Sequence, residues 1–258
     1  MAVIYGKNYK WTKTALTYGF TNSLTDGQFT QADAEVEFQK ACDQWATPTG
    51  LNFNKGADPS TTDISITWEK IDNAGDTLGD SGHPDGANTQ VKMRFDTSEE
   101  WTKNNFVLSA ANFLAVALHE LGHAIGLKHS ANPVAVMYPL IAPFVPPVKL
   151  NTDDADGAKY LYQNTTDEGI YIVNESDRYF SWFAFNSDDA VKLSALASGN
   201  LAPGEFYLYK PVTNATGKYF IRFTDNGGGT EWAGAIVLKS SLTSLIQIGS
   251  NGFMVQVS

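Results

Sequence analysis

The chain has 258 residues, 43% of them hydrophobic and 18% charged, which is the composition of one large or two ordinary folded domains and not of a disordered segment. A net charge of −10 argues against nucleic acid or an anionic membrane as partner, and no apolar run is long enough to span a bilayer. With Cys42 as its single cysteine, the chain has no intrachain disulfide framework.

Trp11 to Phe20 is expected as a first strand, with Leu16, Tyr18 and Phe20 on one face. Thr30 suits a helix cap with Asp33 in the first turn, and Val36, Phe38, Ala41, Cys42 and Trp45 mark an apolar stripe at helical spacing, Cys42 being a packing residue. Pro48-Thr49-Gly50 ends that helix. Leu51 and Phe53 fit a short strand, and Asp63 to Trp68 alternates as another. The stretch from Ile71 to Asn88, rich in Gly and Asp, reads as a loop. Asn112 can cap the next helix, whose buried stripe is Leu114, Ala117, Leu118, Leu121 and Ile125.

That second helix carries His119-Glu120-Leu121-Gly122-His123 and runs on to Gly126 and His129. Residues four apart lie one above the other on a helix face, so His119 and His123 can ligate one ion while Glu120 reaches a water on it. Gly126 permits a sharp turn out of the helix, which brings His129 round as a third nitrogen ligand. Three protein ligands leave a fourth position open, the arrangement of a catalytic rather than a structural zinc.

A His-Glu-x-x-His pair alone is weak, but the extension to Gly126 and His129 resembles the long zinc signature of the metzincin proteases. Ala135-Val136-Met137-Tyr138-Pro139 is a candidate for their Met-turn, and Ser130 together with Met-Tyr-Pro resembles the matrixin branch, the matrix metalloproteinase-like enzymes. The resemblance implies an α+β catalytic domain, a twisted sheet plus three helices, over residues 1–163. It implies one catalytic Zn2+ on His119, His123 and His129, Glu120 as general base, and Met137 as an apolar floor. It also implies a structural Ca2+ held by Asp85, Asp96 and Glu99, with backbone oxygens near Gly86, Asn88 and Gln90. Many matrixins hold a second zinc with three histidines and an aspartate. Here Leu78 and Arg94 stand where two of those histidines belong, and His83 is left as a solvated loop histidine, so one zinc is expected. Tyr138, Pro139, Leu140 and Ile141 would wall the pocket for the residue after the scissile bond, with Leu140-Ile141 in place of the usual tyrosine ending. At the final helix, Thr152 and Asp153 read as simple capping; the resemblance adds that Asp153 and Asp154 brace the Met-turn and hold the mature amino terminus.

The resemblance ends near Tyr162, and residues 164–168 read as a linker. From 169 to 258 the runs Ile170–Val173, Arg178–Phe185, Glu205–Tyr209, Tyr219–Phe223, Ala233–Leu238 and Phe253–Val257 are β-branched or aromatic and bounded by turn residues, the signature of an all-β sandwich-like domain. Residues 1–168 carry 12 basic and 21 acidic side chains, the remainder 6 and 7. Trp182, Tyr209 and Trp232 either fill the core of that module or present a glycan- or protein-binding surface.

The expected function is a secreted zinc-dependent endopeptidase, acting on protein or peptide substrates and favouring an apolar residue after the cleaved bond. The alternative is a toxin- or adhesin-like protein whose C-terminal module sets glycan or surface binding, with the protease auxiliary. Met1 to Tyr5 lacks the basic-then-apolar pattern of a secretory signal and no latency cysteine is visible. The chain is therefore expected to be either a processed or recombinant mature form or one that uses another export route; the resemblance to secreted peptidases favours the first.

Overall fold

The computed structural model describes residues 2–4, 9–24, 27–107, 109–130, 132–141, 148–163, 170–174, 178–185, 197–201, 206–209, 218–225, 231–237, 244–248 and 254–257. The chain divides into two compact units, Met1–Gln163 and Asn164–Ser258.

In chain order the first unit comprises β1 (Ala2–Ile4), β2 (Ala15–Phe20), α1 (Gln31–Thr49), β3 (Asn52–Lys55), β4 (Ile64–Glu69), β5 (Gly79–Ser81) and β6 (Val91–Asp96). Next come β7 (Trp101–Thr102), β8 (Ala111–Asn112), α2 (Phe113–Ala124), β9 (Leu127–Ser130) and α3 (Thr152–Tyr162). Five strands form one mixed sheet in the order β3-β2-β4-β6-β5, four of them parallel, with β5 antiparallel to β6 at the edge. The alternation of β2, β4 and β6 places Leu16, Tyr18, Phe20, Ile64, Ile66, Trp68, Met93 and Phe95 in the core. Trp68 packs its ring on Phe20, Phe95, Trp101 and Phe113, joining the sheet to the start of α2. The indole of Trp45 on α1 donates to the Leu118 carbonyl of α2 at 3.0 Å, locking the two helices together.

Thr30 caps α1 in a reciprocal capping box with Asp33. Gly50, in the left-handed region at φ 71°, closes the helix by donating to the Ala46 carbonyl. Pro48 therefore lies inside the last turn rather than stopping it. Other expectations are corrected. Val36 is 56% exposed, because Ala34, Phe38, Ala41, Cys42 and Trp45 share a face that a residue two positions after Ala34 cannot reach. Trp11 is buried but lies outside β2, which begins at Ala15. The 71–88 stretch contains β5, a strand of Gly, Asp and Ser that no apolar alternation signals; its register against β6 sets Asp80 opposite Arg94. Helix α2 is buried on nearly every side, with Leu114 its one half-exposed residue, because α1 and the sheet enclose it. Asn151, not Thr152, caps α3, and Asp154 completes the capping box.

The described part of the second unit is strands and short connections: β10 (Ile170–Asn174), β11 (Phe180–Phe185), β12 (Ala197–Leu201), β13 (Phe206–Tyr209), β14 (Lys218–Asp225), β15 (Glu231–Val237), β16 (Ser244–Ile248) and β17 (Met254–Val257). They pair as two four-stranded sheets, β13-β10-β16-β17 and β12-β11-β14-β15. Buried Asn174 ties the two by donating to the Arg178 and Leu201 carbonyls at 2.7 and 3.1 Å. The sequence pattern missed β12 and β16. In β12 the Ser-Gly-Asn run resembles a turn, yet Gly199 pairs with Trp182, whose indole would be overlapped by any Cβ there. Trp182 is thus a core residue, 1% exposed, and not a surface aromatic; the side chains of Tyr209 and Trp232 lie outside the described residues.

Candidate metal centre

Helix α2 starts where Asn112 accepts the Ala115 N–H at 3.0 Å and ends at Ala124. Its length puts His119 and His123 one above the other on its last two turns. Gly126, at φ 101°, then reverses the chain into β9, which carries His129. A Cβ at Gly126 would overlap the Tyr9 carbonyl. Gly126→Ala should therefore combine a left-handed backbone penalty of about 1–2 kcal/mol with that overlap. The expected result in a thermal melt is a clear loss of stability with reduced metal uptake; an unchanged melting temperature would contradict it.

The three histidines converge. Their ring centroids are 4.8, 5.1 and 4.9 Å apart, and their ligating nitrogens all lie within 4.8 Å of one another. Nδ1 of His119 lies 2.8 Å from the Val136 carbonyl and Nδ1 of His123 lies 2.7 Å from the Leu127 carbonyl. A carbonyl can only accept, so each Nδ1 carries the proton and each Nε2 presents a lone pair. Those two Nε2 atoms face each other at 3.2 Å. Two ligands of one tetrahedral zinc, each 2.0–2.1 Å from it, stand about 3.3 Å apart, so this separation matches a shared ion. The residues present fit a zinc ion. Among the described residues this is the only group of three or more His, Cys, Asp or Glu side chains that converges in this way.

Burial sets the protonation states. It pushes His119 down to about 4, against a smaller opposing effect of the Val136 carbonyl, and His123 down to about 3 with help from His119; His129 is lowered by burial alone. All three are therefore neutral, ligand-ready imidazoles near pH 7. Glu120, 5% exposed, is pushed up to about 8 by burial first and the nearby Asp80 charge second. The signs give a testable pH profile for the metal-free protein. Below pH 6.5 the unfolded histidines take up protons that folded His119 and His123 refuse until about 4 and 3, so stability falls on acidification. Glu120 acts oppositely, stabilising as pH falls from about 8 to 4.5. With two histidines against one glutamate the loss dominates below 6.5, and these groups place the maximum near pH 6.5. Thermal melts of chelated protein between about pH 5 and 8.5 should show that maximum.

Met137 is fully buried against α2, and Gly122 is what admits it: a Cβ there would overlap the Met137 sulfur and come within 3.1 Å of Trp45. The turn that presents Met137 is closed by Ser130 N–H donating to the Met137 carbonyl at 2.6 Å. Fully buried Asp154 accepts the N–H groups of Val136, Met137 and Asn151 at 2.9, 3.0 and 2.8 Å, and Asp153 accepts the Ser130 hydroxyl at 2.6 Å. The paired aspartates thus do hold the Met-turn; the amino-terminal residue they were also expected to hold lies outside the described residues. Tyr138 and Ile141 are half-buried and Pro139 and Leu140 exposed, and residues 142–147 of the expected pocket wall lie outside the described residues.

The carboxylates expected to share a calcium ion do not meet. Asp96 accepts the N–H groups of Asp72 and Ser98 at 3.0 and 2.7 Å, and Glu99 accepts that of Gly75 at 2.6 Å. Asp85 instead accepts from Ala87 and Thr89, beyond the other end of β6, about 17 Å of strand away. The physical reason is β5: it carries the chain back along β6, so Asp85 leaves at the Val91 end while loop 72–77 stays at the Asp96 end. The same pairing joins Arg94 to Asp80 through two contacts, with Glu69 at 3.6 Å. His83 is half-buried, its ring 5.3 Å from that of Tyr9 and its Nδ1 3.1 Å from the Pro84 carbonyl.

Sequence comparison agrees with the site. The sequence profile of the matrixin family matches residues 10–163. Over 163 residues the chain is 38% identical to stromelysin-1 of Equus caballus, covering 59% of this chain and 33% of the relative. It is 35% identical to macrophage metalloelastase of Rattus norvegicus over 162 residues, covering 59% of this chain and 33% of that protein. It is 31% identical to metalloendoproteinase 1-MMP of Arabidopsis thaliana over 163 residues, 59% of this chain and 44% of that one. The chain thus spans less than half the length of these relatives.

Proposed function

Since the chain belongs to the matrixin family, whose members use a catalytic zinc and a structural calcium, we propose that it is a zinc-dependent endopeptidase whose catalytic domain is residues 1–163. The observation that carries this reading is the convergence of His119, His123 and His129, with the Nδ1 protons of His119 and His123 committed to carbonyls, beside a buried carboxyl.

His119, His123 and His129 would hold the ion. Zinc bound there supplies Lewis-acid chemistry, acidifying water and polarising the scissile carbonyl. Glu120 takes the proton of the attacking water and returns it to the leaving amine. Positive charge beside Glu120 favours the carboxylate form that starts the cycle, against the burial that raises its pKa in the metal-free protein. A Cβ at Gly79 would stand 3.4 Å from Glu120 Cγ, so the edge strand β5 runs beside the base. The outer edge of β5 offers a substrate backbone a strand to pair with. Met137 keeps the floor apolar, and Tyr138 to Ile141 favour an apolar side chain after the cleaved bond.

Residues 164–168 then join the peptidase to a sandwich-like accessory domain at 169–258 that binds a glycan or protein surface, and the enzyme acts outside the cell. No helix among the described residues is long and apolar enough to cross a membrane. The burial of Trp182 removes one of the three aromatics considered for a binding face.

Cleavage of a fluorogenic peptide library tests the function. Cutting before bulky apolar residues, abolished by chelation and restored by zinc, is expected. A protein that takes up zinc and cuts no peptide would remove the endopeptidase reading.

A further inference from the structure

Glycine at 126 permits the turn to His129 but does not select it, because glycine is free in many conformations. A helix end also leaves its last carbonyls without partners inside the helix. In this chain two side chains from opposite ends of the first unit meet those carbonyls. The buried indole of Trp11 donates from Nε1 to the Ala124 carbonyl at 2.8 Å, and the Tyr162 hydroxyl donates to the Ile125 carbonyl at 2.7 Å. The two are joined to each other, since the Trp11 backbone N–H donates to the Tyr162 oxygen at 3.2 Å. Burial keeps the Tyr162 phenol protonated by driving its pKa up. Gly126 is then enclosed between the Tyr9 carbonyl and Leu161 Cδ1.

The residues just past this turn set the ligand geometry. Leu127 supplies the carbonyl that orients His123, and His129 lies two residues beyond it. His119 is oriented separately, through the Val136 carbonyl and Asp154.

We propose that Trp11 and Tyr162 are positioning residues for the metal centre: as a hydrogen-bonded clamp on the Ala124 and Ile125 carbonyls they select the turn that sets His129 and the Leu127 carbonyl behind His123. The proposal rests on reading the three histidines as a zinc site. The clamp touches neither the ion nor the substrate; it preorganises two of the three ligands.

Trp11→Phe and Tyr162→Phe remove the hydrogen bonds and keep most of the buried rings. The test is zinc affinity of the chelated, refilled 258-residue chain, measured by competition with a chromophoric chelator, together with the visible spectrum of the cobalt-substituted form. Each single variant should bind zinc about tenfold more weakly and the pair about 10–100-fold, the range for losing outer partners of metal ligands, with an altered cobalt spectrum. A pair that serves folding alone would lower the melting temperature and leave the affinity of the folded protein and its cobalt spectrum unchanged, which overturns the clamp. Should the double variant fail to fold, Tyr162→Phe, which deletes a single oxygen, decides by the same readouts. Wild-type protein that takes up zinc without cutting peptides would remove the peptidase reading and leave the clamp to be judged on affinity.

Discussion

Glu120→Ala should lower kcat/KM for peptide cleavage by about 10²–10⁴-fold while the protein keeps its zinc, a barrier increase of about 3–5 kcal/mol. The side chain lies on α2 one residue after His119, yet it is no member of the converging nitrogen group, so its removal leaves the three ligands in place. What is lost is the proton acceptor. Glu120→Gln is the sharper version, because the amide retains the shape and the buried position but cannot take up a proton. Both variants should bind zinc within a few-fold of wild type in a chelator competition. Retention of most of the cleavage rate by either one would mean that another group accepts the proton. Loss of zinc together with activity would mean that Glu120 helps to build the site.

Asp154→Ala should be the most damaging single change to the framework beneath the zinc site. Three N–H groups, those of Val136, Met137 and Asn151, converge on its two carboxylate oxygens, and the residue has no solvent exposure. Each buried donor left without an acceptor costs about 1–3 kcal/mol, and burial of the carboxylate, which pushes its own pKa up, offsets part of the gain from all three. A net loss of about 3 kcal/mol, or a fall in melting temperature of about 6–12 °C, is expected. Asp154→Asn should fall between, since its amide sets a donor against one of the N–H groups. Zinc affinity should drop as well, because the Val136 carbonyl that orients His119 sits on the same turn. Melting curves of the chelated proteins separate the two effects; an Asp154→Ala protein as stable as wild type would exclude a bracing role.

Features set by residues a few positions apart are legible in the sequence. The His119–His123 spacing, the turn at Gly126, the Thr30 and Asn112 caps and the buried faces of β2, β4 and α1 all come from local periodicity and local hydrogen bonding. The expected place of Asp85 beside Asp96 and Glu99 fails for a physical reason. The chain from 71 to 88 holds two Gly- and Asp-rich stretches of similar character, and only the β5–β6 pairing decides which of them stands beside Asp96 and Glu99. That strand is three small or polar residues long and gains its order from its neighbour and from Asp80 opposite Arg94, so no pattern within it announces it.

The same division holds at the metal centre. The identity of the three ligands and of the base is carried by eleven consecutive residues, because helical spacing and a glycine that permits a sharp turn are local features of the chain. Their orientation and protonation are not. The Val136 carbonyl, the Asp154 brace and the Trp11–Tyr162 contacts reach up to 151 residues along the chain, and the burial that keeps His119 and His123 neutral comes from the packed unit around them. Hydrogen bonds and desolvation act through space, so only the folded chain decides them.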